Sequence, residues 1–231
     1  MNISVDELKK RAGTYAASYV QSGMTVGLGA GSTARCAMVK IAEMLKNREI
    51  GDIRGVPCSL SVEKEAIRLN IPLAEDDISE IDLTIDGADE VNASLDLTKG
   101  GGGAFLREKI VAQASRRKVI VVVDSKISGT LGTRPLPVEV SPFLLKSQIQ
   151  YLQTLGAKAR LRRNTDGTVW LTDQKNMILD CEFGPIEHPR DLACLLDSRA
   201  GIIGHGLFID LADEVIAAGE SGIRVLKKSE C

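Results

Sequence analysis

From residue 25 to residue 124 the sequence alternates short apolar runs with amphipathic stretches, and this alternation limits the possible folds more than any other feature. Thr25-Val26-Gly27-Leu28-Gly29 reads as a buried strand ending in a glycine turn. Ser32 or Thr33 can cap the next helix, whose apolar stripe is Met38, Ile41, Ala42 and Leu45. The pattern then predicts a strand from Ile53 to Cys58, a helix from Val62 to Leu69 and a strand over Leu83-Thr84-Ile85. A helix follows from Ala104 to about Ser115, then a fully buried strand from Val119 to Val123. Strands alternating with helices imply parallel strands joined by right-handed crossovers. The fold class expected is therefore α/β, with a doubly wound, mostly parallel, Rossmann-like sheet. Ahead of it, the capping-box pattern Ser4-x-x-Glu7 opens a helix with Leu8, Ala12, Tyr15 and Tyr19 on one face, ended by Gly23.

The pattern changes near Thr133, where Pro135 and Pro137 punctuate the chain. Strands are predicted over 136–140, 157–163, 168–173, 177–183 and 201–205, with helices over 142–155 and 189–196. Asp166-Gly167 marks a turn between two of these strands. This segment reads as a smaller α+β, ferredoxin-like subdomain, and Gly206 to Ala217 returns to the first unit. The expected organisation is 1–132 plus 206–231 as one domain and 133–205 as the other, within what 231 residues can supply. Aromatic residues are only 3% of the chain, so the core must be built from Val, Ile, Leu and Ala.

There are 29 Lys and Arg against 31 Asp and Glu, a balance that favours neither nucleic acid nor a membrane surface as partner. Any anion site must be local. The five cysteines, Cys36, Cys58, Cys181, Cys194 and Cys231, have neither zinc-site nor disulfide spacing and read as reduced thiols of a cytoplasmic protein. No signal-peptide pattern opens the chain, and the run Val119 to Val123 is too short to cross a bilayer.

Three loops carry the chemistry. Gly27-Leu28-Gly29-Ala30-Gly31-Ser32-Thr33 joins a strand to a helix. Glycines there let backbone N–H groups face a ligand, and the helix N-terminus favours a phosphate. Ser32 stands where a dinucleotide fingerprint has its third glycine, and no Walker lysine follows. Asp86-Gly87-Ala88-Asp89-Glu90 follows a strand, where ligands of open α/β sheets collect. Its three carboxylates repel one another unless a metal, a lysine or sugar hydroxyls compensate. Lys99-Gly100-Gly101-Gly102-Gly103 is a conformationally costly run, tolerable where backbone must approach a ligand closely. Glu108 lies in the following helix, sharing a face with Ala104 and Phe105, and Lys126 ends a strand at the same sheet edge. Of the two histidines, His205 is expected to hydrogen-bond at a strand end, and His188 has no metal-type partner nearby.

These motifs, with Arg107-Glu108-Lys109, Asp124-Ser125-Lys126, Pro135-Leu136-Pro137-Val138-Glu139-Val140, Asn176 to Asp180 and Gly206-Leu207-Phe208, resemble the type A ribose-5-phosphate isomerase family over nearly the whole chain. The resemblance implies interconversion of ribose 5-phosphate and ribulose 5-phosphate through an enediolate, in the non-oxidative pentose phosphate pathway, with no metal and no organic cofactor. By position, it implies that Glu108 is the general base and that Asp86, Asp89 and Lys99 open the ring and bind its oxygens. It also assigns Ala30, Gly31, Ser32, Thr33, Gly87, Ala88, Gly100, Gly101, Gly102 and Lys126 to substrate binding, with the phosphate on Gly31, Ser32 and Thr33. A homodimer, or a tetramer, is the implied assembly. The sequence departs from the family at Ala30, where threonine is common, and at Cys58 and Leu60. The alternatives are a non-catalytic sugar-phosphate sensor on a related fold, which would bring a DNA-binding segment, and an amino-sugar phosphate deaminase or lactonase, which would bring a histidine near the acidic loop. Neither signal is present.

Overall fold

Apolar residues on both faces of the strands dictate a sheet covered on both sides. The computed structural model of the chain, which describes residues 3–75 and 77–228, has such a sheet. Its strands are β1 (Thr25–Leu28), β2 (Arg54–Pro57), β3 (Ile81–Gly87), β6 (Ser115–Val123), β12 (Glu214–Gly219) and β13 (Gly222–Lys227). They run in the order β13-β12-β6-β3-β1-β2, parallel throughout except for the β12–β13 hairpin at one edge. β2 and β3 flank β1, so the chain reverses its travel across the sheet there. The switch point opens a crevice between the carboxyl ends of β1 and β3. The loops after those two strands are the first and second of the three glycine and acidic loops.

Helices α1 (Val5–Ala17), α2 (Ser32–Lys46), α3 (Leu60–Arg68) and α4 (Phe105–Gln113) accompany this sheet. The helix α1 ends at Ala17 rather than at Gly23, because the Ser18 hydroxyl donates to the Tyr15 carbonyl at 2.7 Å and the chain turns. Its buried face is Ala12, Gly13, Ala16 and Ala17, and Tyr19 lies outside the helix. A Cβ on Gly13 would come within 2.6 Å of the Ala37 nitrogen, so α1 and α2 meet backbone to backbone.

The antiparallel part is a four-stranded sheet in the order β10-β7-β9-β8. Here β7 is Leu136–Val140, β8 Lys158–Leu161, β9 Met177–Glu182 and β10 Ile202–His205, with helices α5 (Leu145–Thr154) and α6 (Pro189–Asp197). The strand predicted over 168–173 is absent. Only single bridges, Arg163 to Val169 and Leu171 to Met177, form there. The turns at Asn164–Thr168 and Thr172–Asn176 take up the backbone on both sides and leave too little chain for a ladder. A third, three-stranded sheet joins β11 (Leu207–Phe208), β5 (Leu97–Thr98) and β4 (Glu90–Val91). It ties the chain after β10 to the glycine run: the Lys99 N–H donates to the Gly206 carbonyl, and the Gly206 N–H to the Pro137 carbonyl, both at 2.8 Å.

Cys58 and Cys181 are buried, and Cys36 and Cys194 are free thiols as well. Cys231 lies outside the described residues. Among the described residues no helix is long and apolar enough to cross a membrane.

Candidate active site

The glycines of the first loop serve packing before they serve a ligand. A Cβ on Gly29 would fall 2.3 Å from the Asp86 carboxylate, and one on Gly27 would fall 2.0 Å from the Thr84 hydroxyl. These two glycines therefore let β1 and β3 close together. The Ala30 N–H, expected to face a ligand, instead donates to Asp86 Oδ1 at 3.0 Å. Gly31, at φ +91°, turns the chain into α2 and is its N-cap. Ser32 and Thr33 are therefore not caps but the first two residues of the helix. Their hydroxyls and the unpaired N–H groups of the first turn are left for an anion.

The second loop resolves its charge repulsion in three different ways. Asp86 accepts from Ala30 and Gly87 N–H groups through Oδ1 and pairs with Lys99 Nζ through Oδ2 at 2.9 Å. Asp89 accepts the Gly101 N–H at 2.9 Å. Glu90 turns away from the crevice and receives Thr98, Gly132 and Thr133. Burial opposes its charge, but hydrogen bonds from Thr133, Thr98 and Gly132 hold its carboxyl below the ordinary range.

Lys99 is 3% exposed, and its ammonium is the hub of the site. It donates to the Gly87 carbonyl, pairs with Asp86, and lies 3.3 Å from Glu108 Oε2. Burial works against its charge, but the two carboxylates outweigh this and hold its pKa above the ordinary lysine value. Glu108 sits one turn into α4, where the Phe105 ring anchors the same face in the core. Its Oε2 is at ion-pair rather than hydrogen-bond geometry to Lys99 and accepts no hydrogen bond among the described residues. Burial pushes the Glu108 carboxyl up to about 7, against the pull of Lys99 and with help from the Asp86 charge.

All the expected site residues except Asp86 line one pocket of about 190 Å³, where Lys9 and Val123 join them. Asp86 is 3% exposed with both oxygens occupied, so it lies beneath the pocket, behind Lys99. Its Oδ2 holds Lys99, and its Oδ1 holds the Ala30 and Gly87 N–H groups. Lys9 comes from α1 and was not legible in the sequence, where it is one charge among many on a helix face. Its ammonium is 3.0 Å from Asp6 Oδ1 and only partly exposed. The departure at Cys58 falls close behind this cluster: the thiol is fully buried, and burial together with the Asp86 and Glu108 charges raises its pKa.

The glycine run is not uniform either. Gly100 (φ +108°) and Gly103 (φ +77°) need glycine conformations, and a Cβ on Gly103 would lie 2.1 Å from the Trp170 ring. A Cβ on Gly102 would meet nothing within 4 Å. Gly103→Ala should therefore cost about 2 kcal/mol or more in urea unfolding, from overpacking and the left-handed backbone. Gly102→Ala should stay within about 0.5 kcal/mol of wild type.

His205 lies outside the pocket lining. Its Nδ1 accepts the Leu207 N–H at 3.2 Å, which leaves Nε2 to donate to Asp197 Oδ1 at 3.1 Å. Lys109 donates to the His205 carbonyl at 2.9 Å. Burial and the neighbouring Lys109 push the His205 pKa down to about 4, so the ring is neutral near pH 7.

One pocket thus brings hydroxyls and cations (Ser32, Thr33, Lys9, Lys126) together with two carboxylates and a buried ammonium (Asp89, Glu108, Lys99). Comparison with known proteins gives the same direction. The family profile described as Ribose 5-phosphate isomerase A (phosphoriboisomerase A) matches residues 54–222. The chain is 49% identical over 226 residues to a Ribose-5-phosphate isomerase A of Desulfatibacillum aliphaticivorans, covering 97% of this chain and 98% of that one. It is 48% identical over 234 residues to the protein of that name from Chloroflexus aurantiacus, covering 100% and 98%. Among solved structures it is similar, at TM-score 0.94 and 37% identity, to a D-ribose-5-phosphate isomerase in complex with phospho-erythronic acid, covering 97% of this chain and 100% of that chain.

Proposed function

The chain belongs to the ribose 5-phosphate isomerase A family, and on that premise we propose that it interconverts ribose 5-phosphate and ribulose 5-phosphate through an enediolate, with Glu108 as general base. The observation that carries this reading is the buried Glu108 carboxylate, its Oε2 without a hydrogen bond among the described residues, beside Lys99 in a pocket that Ser32, Thr33, Lys9 and Lys126 also line. A phosphorylated ligand would engage both sets of residues. Phospho-erythronic acid, named with the related structure, likewise carries an acid group and a phosphate.

The steps follow from the groups present. With the phosphate at the start of α2, the sugar lies against Asp89, Lys99 and Glu108. Asp89 takes the proton from the O1 hydroxyl as the bond between C1 and the ring oxygen breaks, and passes it to that oxygen, which becomes the C4 hydroxyl. Glu108 then removes the C2 proton. The electron pair moves into the C1–C2 bond, and the charge that builds on O1 faces the Lys99 ammonium, which Asp86 holds in place. O1 takes up a proton, O2 gives up its own, and Glu108 returns its proton to C1, leaving the C2 ketone. One carboxylate serves both carbons, which suits a cis-enediol.

The base must be ionised, so kcat/KM should rise with pH and reach half its plateau near pH 7, where Glu108 titrates. A profile flat down to pH 5 would remove Glu108 from that role. The whole reading is tested by assaying the purified protein with ribose 5-phosphate, with and without EDTA. Turnover that EDTA leaves unchanged is expected; no turnover would sink the function, and loss in EDTA the metal-free chemistry.

The finer expectations belong to the same proposal. The protein acts in the non-oxidative pentose phosphate pathway of the cytoplasm, as a homodimer, with residues 1–132 plus 206–231 forming the catalytic domain and 133–205 the smaller one. The reduced, buried thiols Cys58 and Cys181 support the compartment, and the family resemblance supports the assembly.

A further inference from the structure

The glycine run is gripped from behind by the smaller, antiparallel part of the molecule. Arg162, just past β8, forms a two-point ion pair with Asp180 of β9: Nε lies 2.9 Å from Oδ2, and Nη2 donates to Oδ1. The Arg162 side chain is 15% exposed, and its guanidinium lies over the Trp170 ring at 5.7 Å. Its remaining nitrogen, Nη1, donates to the carbonyls of Gly100 at 3.1 Å and Gly101 at 3.3 Å. Trp170 packs against Gly103, and Asp173 accepts the Leu60 N–H at 2.9 Å. Arg162 and Trp170 therefore hold the glycine run at Gly100, Gly101 and Gly103, Asp173 holds the start of α3, and none of the three lines the pocket.

A trans peptide unit points its C=O and N–H in opposite directions. The Gly100 carbonyl accepts both Arg162 Nη1 and, at 3.0 Å, the Gly103 N–H, so the Gly101 N–H must point the other way, and it does, onto Asp89 Oδ2. With the Gly101 carbonyl on the same guanidinium, the Gly102 N–H also points away from Arg162. It has no partner among the described residues, and Gly102 lines the pocket. Glycine peptides flip at little steric cost, and a flip of the Gly100–Gly101 unit would put a carbonyl oxygen beside the Asp89 carboxylate. We infer that Arg162, locked by Asp180, is a positioning residue for the reaction: it fixes two successive peptide units so that the Gly101 N–H orients Asp89 and the Gly102 N–H faces the substrate oxygens. The guanidinium supplies the required shape, because only a planar fork can hold a carboxylate with two nitrogens and the loop with a third.

This inference rests on the isomerase reading, so wild type and variants are assayed together. Arg162→Ala should lower kcat about 100-fold, the scale of a misplaced site. KM should stay within about threefold, because the phosphate end is untouched. Millimolar guanidinium ion should restore kcat of Arg162→Ala at least about tenfold, whereas urea, its neutral isostere, should not. Arg162→Lys should remain impaired, and adding Asp180→Asn to Arg162→Ala should cost little more. Wild-type kcat in Arg162→Ala overturns the inference, and so does a loss that guanidinium fails to rescue. No turnover in the wild type would instead sink the isomerase reading itself.

Discussion

Glu108→Gln should lower kcat by about 1,000-fold, within the range set by loss of a general base, with KM changed by no more than a few-fold. Glutamine keeps the length and the buried position but cannot accept the C2 proton at any pH in the working range. The proposed phosphate contacts are Ser32, Thr33, Lys9 and Lys126 rather than Glu108, so ground-state affinity should survive. Folding should survive too. A carboxylate that burial already drives toward its neutral form is replaced by a neutral amide of the same shape. The variant should therefore melt within a few degrees of wild type while turning over far more slowly. A kcat reduced less than tenfold would move the base elsewhere.

Lys99→Met should be the more damaging change overall, because it strikes both stability and rate. Asp86 and Glu108 are 3% and 5% exposed and share this one ammonium. Removing one partner of a buried ion pair typically costs about 3–5 kcal/mol, and two carboxylates would be left facing each other. Urea unfolding should show a loss of that size at neutral pH. The loss should shrink toward acid, because lowering the pH protonates Glu108 and relieves the repulsion. The rate should fall by about 100-fold or more even where the protein is folded, since the proposed reaction sets the Lys99 ammonium against the charge developing on O1. Equal destabilisation at pH 5 and pH 8 would contradict this account of the cluster.

The parallel sheet was legible because its strands are apolar on both faces and its loops carry glycine and acid at the strand ends. The third loop was legible for a similar reason: Lys99, four glycines and Glu108 cannot be explained by packing alone. The reasons for individual residues were less legible. Gly27 and Gly29 looked like ligand-facing glycines, but their contacts with Thr84 and Asp86 come from the β1–β3 register, which no local pattern states. Asp86 and Asp89 are equivalent in sequence, three residues apart in one loop. Only the position of Lys99 separates the buried carboxylate from the one at the pocket. Lys9 and Arg162 were invisible for the same reason, since each acts across tens to more than ninety residues of sequence. The segment 168–173 has strand composition, but turns on both sides consume its backbone.

The central claim is that Glu108 carries a proton between C2 and C1. It is tested most directly by following the C2 hydrogen of ribose 5-phosphate by NMR in D2O over many turnovers at equilibrium. The account predicts that wild type replaces the C2 hydrogen of the aldose and one C1 hydrogen of the ketose with deuterium, because a proton held on a carboxylate can exchange with solvent, and that Glu108→Gln loses this exchange in step with kcat. Full retention of the hydrogen by the wild type, as a direct shift between the carbons would give, or undiminished exchange in Glu108→Gln, would contradict it.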